Sequence, residues 1–129
     1  DNYFKTEDLG KFDNNGYLEI VGRLKDLIIS GGFNVYPKEI EDVINSIEGI
    51  QENAVIGVPH KDLGESVLSI IIKEECIQIN SKKISEILTK KLAKYKCPKG
   101  YIFVNSFPRN SLGKILKNKL REEYKNYFK

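Results

Sequence analysis

The sequence predicts a small, compact α+β domain with an N-terminal hairpin and a short mixed sheet packed by about three helices. Three observations lead to this class. The chain has 129 residues, which is enough for one apolar core and too few for two. Strand-sized apolar segments and helix-sized segments of period 3.6 both occur along it. They follow no strict strand–helix–strand repeat and include no glycine-rich nucleotide fingerprint, which favours the α+β class.

The first elements are predicted from turn signals. The pair Asn15-Gly16, which follows Phe12, is typical of a hairpin turn, and Tyr17–Val21 is the expected return strand. A second short strand over Leu27–Ser30 is ended by the glycine pair Gly31-Gly32.

A helix is predicted to begin at Pro37, because proline suits the first helical turn. Gly49 supplies the stop signal. Between them, apolar residues recur at positions i, i+3, i+4 and i+7 and indicate a core-facing stripe: Ile40, Val43, Ile44 and Ile47.

The middle of the chain is predicted to hold two strands, Ile50–Val58 and Val67–Lys73, joined by a loop over residues 59–64. Ser81 is the expected N-cap of the second helix. That helix should end near Lys96, because a proline follows two residues later and the residue before a proline avoids helical angles.

The last elements are a strand over Tyr101–Val104, a polar loop that leads to Lys114, and a final helix. The helix is predicted from the spacing of Leu116, Leu120 and Tyr124.

Composition is that of an ordinary globular protein, with 40% hydrophobic and 30% charged residues. We expect no membrane span and no export signal, and therefore a cytoplasmic protein. Since the chain contains no methionine, we interpret it as part of a longer protein. Cys76 and Cys97 are expected to be free thiols. His60, the only histidine, is expected to cap a turn, and no metal site is expected.

Charge is distributed unevenly. Residues 1–80 carry 7 basic and 15 acidic side chains, whereas residues 81–129 carry 14 basic and 3 acidic ones. This asymmetry indicates an anionic partner for the C-terminal half, with a solvated lysine-rich surface as the simpler interpretation. A nucleic-acid-binding module is the alternative from another class. It is not favoured, because the basic residues carry only scattered aromatics and no recognition motif.

Three motifs carry a resemblance to a known family. Residues 22–41 read Gly-Arg-Leu-Lys-Asp-Leu-Ile-Ile-Ser-Gly-Gly-Phe-Asn-Val-Tyr-Pro-Lys-Glu-Ile-Glu. This segment resembles the hinge of the adenylate-forming enzymes, which include acyl-CoA synthetases, firefly luciferase and peptide-synthetase adenylation domains. Residues 3–10 and 107–117 are similar to two further segments of that family, in the same order. The resemblance implies that residues 1–24 are the tail of a larger N-terminal ATP-binding domain, and residues 25–129 a mobile lid.

On the ATP side, the resemblance implies four roles. Asp8 would accept hydrogen bonds from the ribose hydroxyls of ATP, although Glu7 stands where the family usually has glycine. Arg23 would reach the ribose or a phosphate, and Lys25 would be the pivot of the lid. Lys114 would bridge the substrate carboxylate and the nucleotide, where a compact ammonium screens two anions that must approach each other.

On the CoA side, the resemblance implies that Gly31 and Gly32 line the tunnel for the pantetheine arm, because a backbone without Cβ lets a thin ligand approach closely. Tyr95 could stack on the adenine of CoA, and Lys99 could meet a phosphate. Cys97 stands where at least one relative has arginine, so part of that anion site differs.

These roles imply the C-terminal lid of an ATP-dependent acid–CoA ligase that uses ATP, Mg²⁺ and CoA. The partners would be a small carboxylic acid and the larger domain, with Mg²⁺ held mainly by that domain. The sequence motifs of the chain look most similar to those of malonyl-CoA synthetases. The alternative within the family is an adenylation subdomain that delivers its product to a carrier protein.

Overall fold

The computed structural model describes residues 3–4, 8–12, 18–23, 26–75 and 77–128, the first three ranges as strand backbone. These short ranges form an antiparallel sheet in the order β1-β2-β3, with β1 at Tyr3–Phe4, β2 at Asp8–Phe12 and β3 at Leu18–Arg23. The two strands of the predicted hairpin are confirmed, and the return strand extends to Arg23. The predicted turn at Asn15-Gly16 lies outside the described residues.

A second, mixed sheet forms the centre of the molecule. Its strands are β4 (Ile28–Ser30), β5 (Phe33–Val35), β6 (Ile50–His60), β7 (Gly64–Lys73) and β8 (Gly100–Phe103). The hydrogen-bonded order is β5-β4-β7-β6, and β8 pairs with β7 in parallel. The antiparallel β6–β7 hairpin is the longest part of this sheet. Strands β4 and β8 both pair with β7 of the hairpin.

Three helices cover this sheet: α1 (Pro37–Asn45), α2 (Ser81–Lys91) and α3 (Lys117–Glu123). Both faces of the β6–β7 hairpin are therefore buried. On one face, α1 and α2 pack against a cluster that includes Val55, Val67 and Ile71. On the other face, α3 and Phe107 pack against a cluster that includes Ile56 and Leu68. This double burial explains why apolar residues occupy neighbouring positions in both strands and do not strictly alternate with polar ones. The arrangement of helices and mixed sheet confirms the predicted α+β class.

The predicted loop over residues 59–64 was wrong in extent. Strand β6 continues through His60 and β7 begins at Gly64, so only residues 61–63 form the turn. Pro59 lies within β6, where the sequence suggested a break. In the described sheet β6 pairs only with β7, and an edge strand tolerates a proline whose missing N–H would face away from the ladder.

Two predictions about α2 were also wrong. The N-cap is Asn80 rather than Ser81, because the Asn80 Oδ1 accepts a hydrogen bond from the backbone N–H of Lys83 at 2.9 Å. The helix ends at Lys91, five residues before the predicted position, since Leu92 takes an extended conformation. A separate 3-10 turn then covers Lys94–Lys96.

Strand β5 was not predicted. It pairs with β4 across the two-residue turn Gly31-Gly32, where φ is +57° and +84°. A two-residue hairpin turn of this kind needs positive φ at both positions, which glycine adopts without strain. The glycine pair therefore reverses the chain, and the polypeptide reaches α1 only after a second strand.

Within the residues that the structure describes, none of the helices has both the length and the apolar character required to cross a membrane.

Candidate active site

Lys114 lies on a short, closed loop between Pro108 and Leu116. The backbone N–H of Leu116 donates to the carbonyl of Pro108 at 2.8 Å, and the N–H of Asn110 donates to the carbonyl of Lys114 at 3.0 Å. Arg109 and Ile115 form an isolated antiparallel bridge between these bonds. The two sides of the loop are thus held together along their length, and these bonds hold the backbone of Lys114 in place.

Asn110 and Gly113 shape the tip of this loop. The Asn110 Oδ1 accepts hydrogen bonds from the backbone N–H groups of Leu112 at 2.9 Å and Lys114 at 3.0 Å. Gly113 has φ of +85°, a conformation that residues with a Cβ rarely adopt. The sequence Asn-Ser-Leu-Gly-Lys therefore forms a turn in which the asparagine side chain accepts two backbone hydrogen bonds.

The side chain of Lys114 is exposed, and its ammonium forms no ion pair with any residue that the structure describes. Arg109, the other cation of this loop, does have partners. The Arg109 guanidinium donates to the carbonyl of Gly113 at 2.9 Å and pairs with Glu52 of β6. Arg109 thus supports the loop, whereas the charge of Lys114 remains available to a ligand.

A cleft of about 550 Å³ opens beside this loop, and we call it the Lys114 cleft. Residues from four parts of the chain line it, including Asp26, Glu41, Asn53, Arg109, Asn110, Lys114, Lys117 and Arg121. Asp26 follows directly after Lys25, the predicted pivot. The fold therefore brings Lys114 to the same cleft as the residue next to the predicted hinge.

Four charged residues of the cleft form what we call the ion-pair cluster: Asp26, Glu41, Lys117 and Arg121. An Arg121 nitrogen lies 2.7 Å from the Asp26 Oδ1, and the Lys117 Nζ lies 2.8 Å from the Glu41 Oε2. The Lys117 Nζ is also 3.9 Å from the Asp26 Oδ2. Both acids are thus matched by cations of α3.

The predicted CoA residues lie at the opposite end of β4. Gly31 is anchored, because its N–H donates to the carbonyl of Leu63 at 3.0 Å. A Cβ built on Gly31 would lie 3.3 Å from the Leu63 Cδ2, whereas one built on Gly32 would meet nothing within 4 Å. Strand β4 is three residues long, so about 10 Å of extended backbone lies between this turn and residues 26–27, of which Asp26 lines the Lys114 cleft.

Tyr95 is brought to the glycine turn by an aromatic contact. Its ring stacks on Phe33 of β5, with ring centroids 4.6 Å apart and an angle of 22° between the planes. Both rings are partly exposed, Tyr95 at 38% and Phe33 at 54%. One face of Tyr95 is therefore already covered by Phe33, and a stacking ligand would have to use the remaining exposed surface.

One charged group, the Lys96 ammonium, lies beside the Tyr95 ring. The Lys96 ammonium lies 5.7 Å from the Tyr95 ring centroid and 2.9 Å from Glu39 of α1. The hydrogen bond that Lys96 donates to Glu39 raises the pKa of Lys96. Lys99 is exposed, with its backbone N–H bonded to the carbonyl of Val67 at 2.8 Å. Cys97 is a free thiol. Burial raises its pKa, and the charge of Lys99 opposes part of this increase.

The remaining predicted ATP residues belong to the N-terminal sheet. Asp8 and Arg23 are direct partners in the β2–β3 register, so their backbones lie side by side. Glu7 and the predicted pivot Lys25 lie outside the described residues. The predicted turn-capping role of His60 is confirmed, because its Nδ1 accepts from the backbone N–H groups of Asp62 and Leu63 at 3.0 and 3.2 Å.

Several residues of the cleft were not found from the sequence: Asp26, Glu41, Asn53, Arg109, Asn110, Lys117 and Arg121. Only Asn110 had a local signal that could have identified it, the Asn-x-x-Gly turn pattern. The charged residues look like ordinary surface residues in the sequence, since their partners lie far away along the chain.

The family described as AMP-binding enzyme C-terminal domain matches residues 39–114. The long-chain-fatty-acid–CoA ligase FadD13 of Mycobacterium tuberculosis is 48% identical over 122 residues, which are 95% of this chain and 24% of that protein. A 2-succinylbenzoate–CoA ligase of Enterococcus faecalis is 41% identical over 128 residues, 99% of this chain and 26% of that protein.

Solved structures give the same result. ATP-bound MatB from Rhodopseudomonas palustris superposes with a TM-score of 0.90 at 51% identity, covering 98% of this chain and 25% of that one. The chain spans about a quarter of the length of the relatives it matches. On this family match, the chain belongs to the AMP-binding enzyme C-terminal domain family.

Proposed function

We propose that this chain is the mobile C-terminal lid of an ATP-dependent acid–CoA ligase, with Lys114 as its catalytic residue. One observation carries the proposal: Lys114 is an exposed ammonium without an ion pair among the described residues, at the tip of a loop held by hydrogen bonds on both sides. A catalytic cation needs this combination of fixed position and available charge.

The reaction has two halves. In the first, a carboxylate oxygen attacks the α-phosphorus of ATP, the bond to the β-phosphate oxygen breaks, and pyrophosphate leaves. Two anions approach each other in this step, so the Lys114 ammonium would lower the barrier by screening their repulsion and holding both in line. In the second half, the CoA thiol loses its proton and attacks the carbonyl carbon of the acyl-adenylate, and AMP leaves.

The two halves correspond to two places on the domain. Lys114 would serve the first half from its cleft. Gly31 and Gly32 at the other end of β4, together with Tyr95 and Lys99, would serve the second half. A rotation about Lys25 would exchange the two places at one active site, with residues 1–24 belonging to the larger domain. The names of the relatives, which are CoA ligases, favour CoA over a carrier protein as the acceptor.

The nucleotide and the metal would be held mainly by the larger domain, with Asp8 and Arg23 as the contribution of the N-terminal sheet to the ATP site. The cleft itself is a poor place for Mg²⁺, because its acids Asp26 and Glu41 already pair with Arg121 and Lys117. Mg²⁺ would neutralise phosphate charge when it arrives with ATP. A cytoplasmic location stays a prediction.

The test is to replace Lys114 by alanine in the full-length protein and to measure each half separately. We expect pyrophosphate release to fall by about 10²–10³-fold, since a pre-placed charge of this kind is worth that much. Thioester formation from supplied acyl-adenylate should stay within a few-fold of the original. Lys119→Ala is the matched control, because Lys119 is an exposed residue of α3 outside the cleft. Equal loss in both halves would contradict the role of Lys114.

A further inference from the structure

We propose that the ion-pair cluster positions Lys114 relative to the hinge, so that Asp26, Glu41, Lys117 and Arg121 are positioning residues for adenylate formation. This inference rests on the proposed function of Lys114. It adds a connection between two parts of the lid that the proposed function treats separately. These are the pivot segment, which begins at Asp26 next to the predicted pivot, and the catalytic loop, residues 108–116.

The first part of the connection joins the pivot segment to α3. Asp26, one residue after the predicted pivot, lies 2.7 Å from Arg121 and 3.9 Å from Lys117. The Asp26 side chain is only 16% exposed. Charge pairs that are partly shielded from water interact more strongly than fully exposed ones, so α3 is held firmly at the start of the lid.

The second part joins α3 to α1 and to the edge of the sheet. The Glu41 Oε2 accepts a hydrogen bond from the Lys117 Nζ at 2.8 Å and from the backbone N–H of Val55 at 2.9 Å. Glu41 and Lys117 are 19% and 17% exposed. One carboxylate oxygen thus ties the first residue of α3 to β6, and Lys117 has two acids that fix its place.

The third part joins α3 to the catalytic loop. Lys117 follows Lys114 by three positions, and the intervening residues have little freedom. Ile115 packs against the core cluster beneath α3, and the N–H of Leu116 is bonded to the carbonyl of Pro108. Any shift of Lys117 would therefore move Lys114 as well. A displacement near 1 Å can reduce a rate by about 10²-fold.

The glycine turn is held by different contacts. Gly31 is bonded to Leu63, and the backbone N–H of Ile29 donates to Glu65 at 3.1 Å. None of these residues belongs to the ion-pair cluster. Loss of the cluster should therefore impair adenylate formation and leave the thioester half nearly unchanged, whereas a purely stabilising cluster would affect both halves alike.

The experiment uses the full-length protein with Asp26→Asn, Arg121→Gln and the two substitutions combined. For each single variant we expect pyrophosphate release to fall about 10–100-fold, with thioester formation from supplied acyl-adenylate within three-fold of the original. Because both substitutions break one interaction, the double variant should be no slower than the slower single variant. Equal losses in the two halves, multiplicative losses in the double variant, or no loss at all would overturn the inference.

Two further variants make the result unambiguous. Lys125→Gln is the matched control, because Lys125 pairs with Glu122 at 2.7 Å just beyond α3 on the exposed surface. It should change neither half. Arg121→Lys keeps the charge and should recover most of the pyrophosphate release even if Arg121→Gln does not fold. Failure of this rescue in a folded variant counts against the inference. An original protein that forms no adenylate would instead refute the proposed function.

Discussion

At the scale of single residues, Gly113 and Asn110 show how the chain places a charge without burying it. The backbone at Gly113 turns through positive φ, and Asn110 bonds two N–H groups of the same loop. Both residues act on the backbone, which leaves the Lys114 side chain exposed. The loop is therefore rigid although its most important side chain has no partner among the described residues.

We predict that Gly113→Ala will slow pyrophosphate release by the full-length protein about 10–100-fold. No atom lies within 4 Å of a Cβ at this position, so the effect would come from backbone strain alone. Left-handed φ costs a residue with a Cβ about 1–2 kcal/mol, and the loop would relax away from its active shape.

Gly113→Asn is the matched control for this prediction, because asparagine tolerates left-handed angles better than alanine. It should retain more activity than Gly113→Ala, as measured by exchange of labelled pyrophosphate into ATP. Equal activity of the two variants would show that the conformation of Gly113 is not the cause.

At the scale of elements, the turn between β6 and β7 supports the glycine hairpin through His60. The His60 Nδ1 accepts two backbone N–H bonds of the turn, including that of Leu63, and the Leu63 carbonyl accepts from Gly31. The ring also contacts Phe128, with centroids 5.4 Å apart. The only histidine thus connects the C-terminal segment to the turn next to the proposed CoA site.

We predict that His60→Leu will loosen this region, because two N–H groups lose their acceptor at about 1 kcal/mol for each bond. The measurement is hydrogen exchange at the amides of Leu63 and Gly31, which should become at least several-fold faster. His60→Asn offers an amide oxygen in a similar place and should remain nearer to the original rate. Unchanged exchange in His60→Leu would mean that the turn does not depend on this residue.

At the scale of the whole molecule, four ion pairs offset part of the uneven charge of the chain. Basic residues of the C-terminal half pair with acids of the N-terminal half across long sequence separations: Lys96 with Glu39, Arg109 with Glu52, Lys117 with Glu41, and Arg121 with Asp26. The predicted anionic partner would therefore meet the cations that remain unpaired. In the cleft, Arg109, Lys117 and Arg121 are ion-paired, whereas Lys114 has no ion pair among the described residues.

The core is also built from residues that are far apart along the chain. We predict that its central strand, β7, contributes most to stability. Ile71 is fully buried in β7, whereas Ile29 of β4 is 51% exposed. Ile71→Ala should cost about 2–5 kcal/mol because it leaves a cavity in the core. Ile29→Ala should cost no more than about 0.5 kcal/mol. Urea unfolding of the two variants measures the difference, and similar costs would contradict this view of the core.

Features that depend on neighbours along the chain could be predicted without the fold. The proline at position 37 and the stripe that follows it predict the start of α1 and its core-facing side correctly, although the helix ends at Asn45 and not near Gly49, and the motifs around Lys25 and Lys114 indicate the family. Periodicity, turn residues and motif spacing are local properties, so they can be recognised without knowing the fold.

Which distant groups meet depends on the packing of the elements. The tertiary structure ended α2 at Lys91, covered one face of Tyr95 with Phe33, and joined Asp26 to Arg121, 95 positions away. An ion pair or a ring contact depends on how the elements pack against each other, and a residue's immediate neighbours do not encode that packing. The shared cleft of Lys114 and Asp26, the residue next to the predicted hinge, is such a result, because it follows from the docking of α3 against β6 and α1.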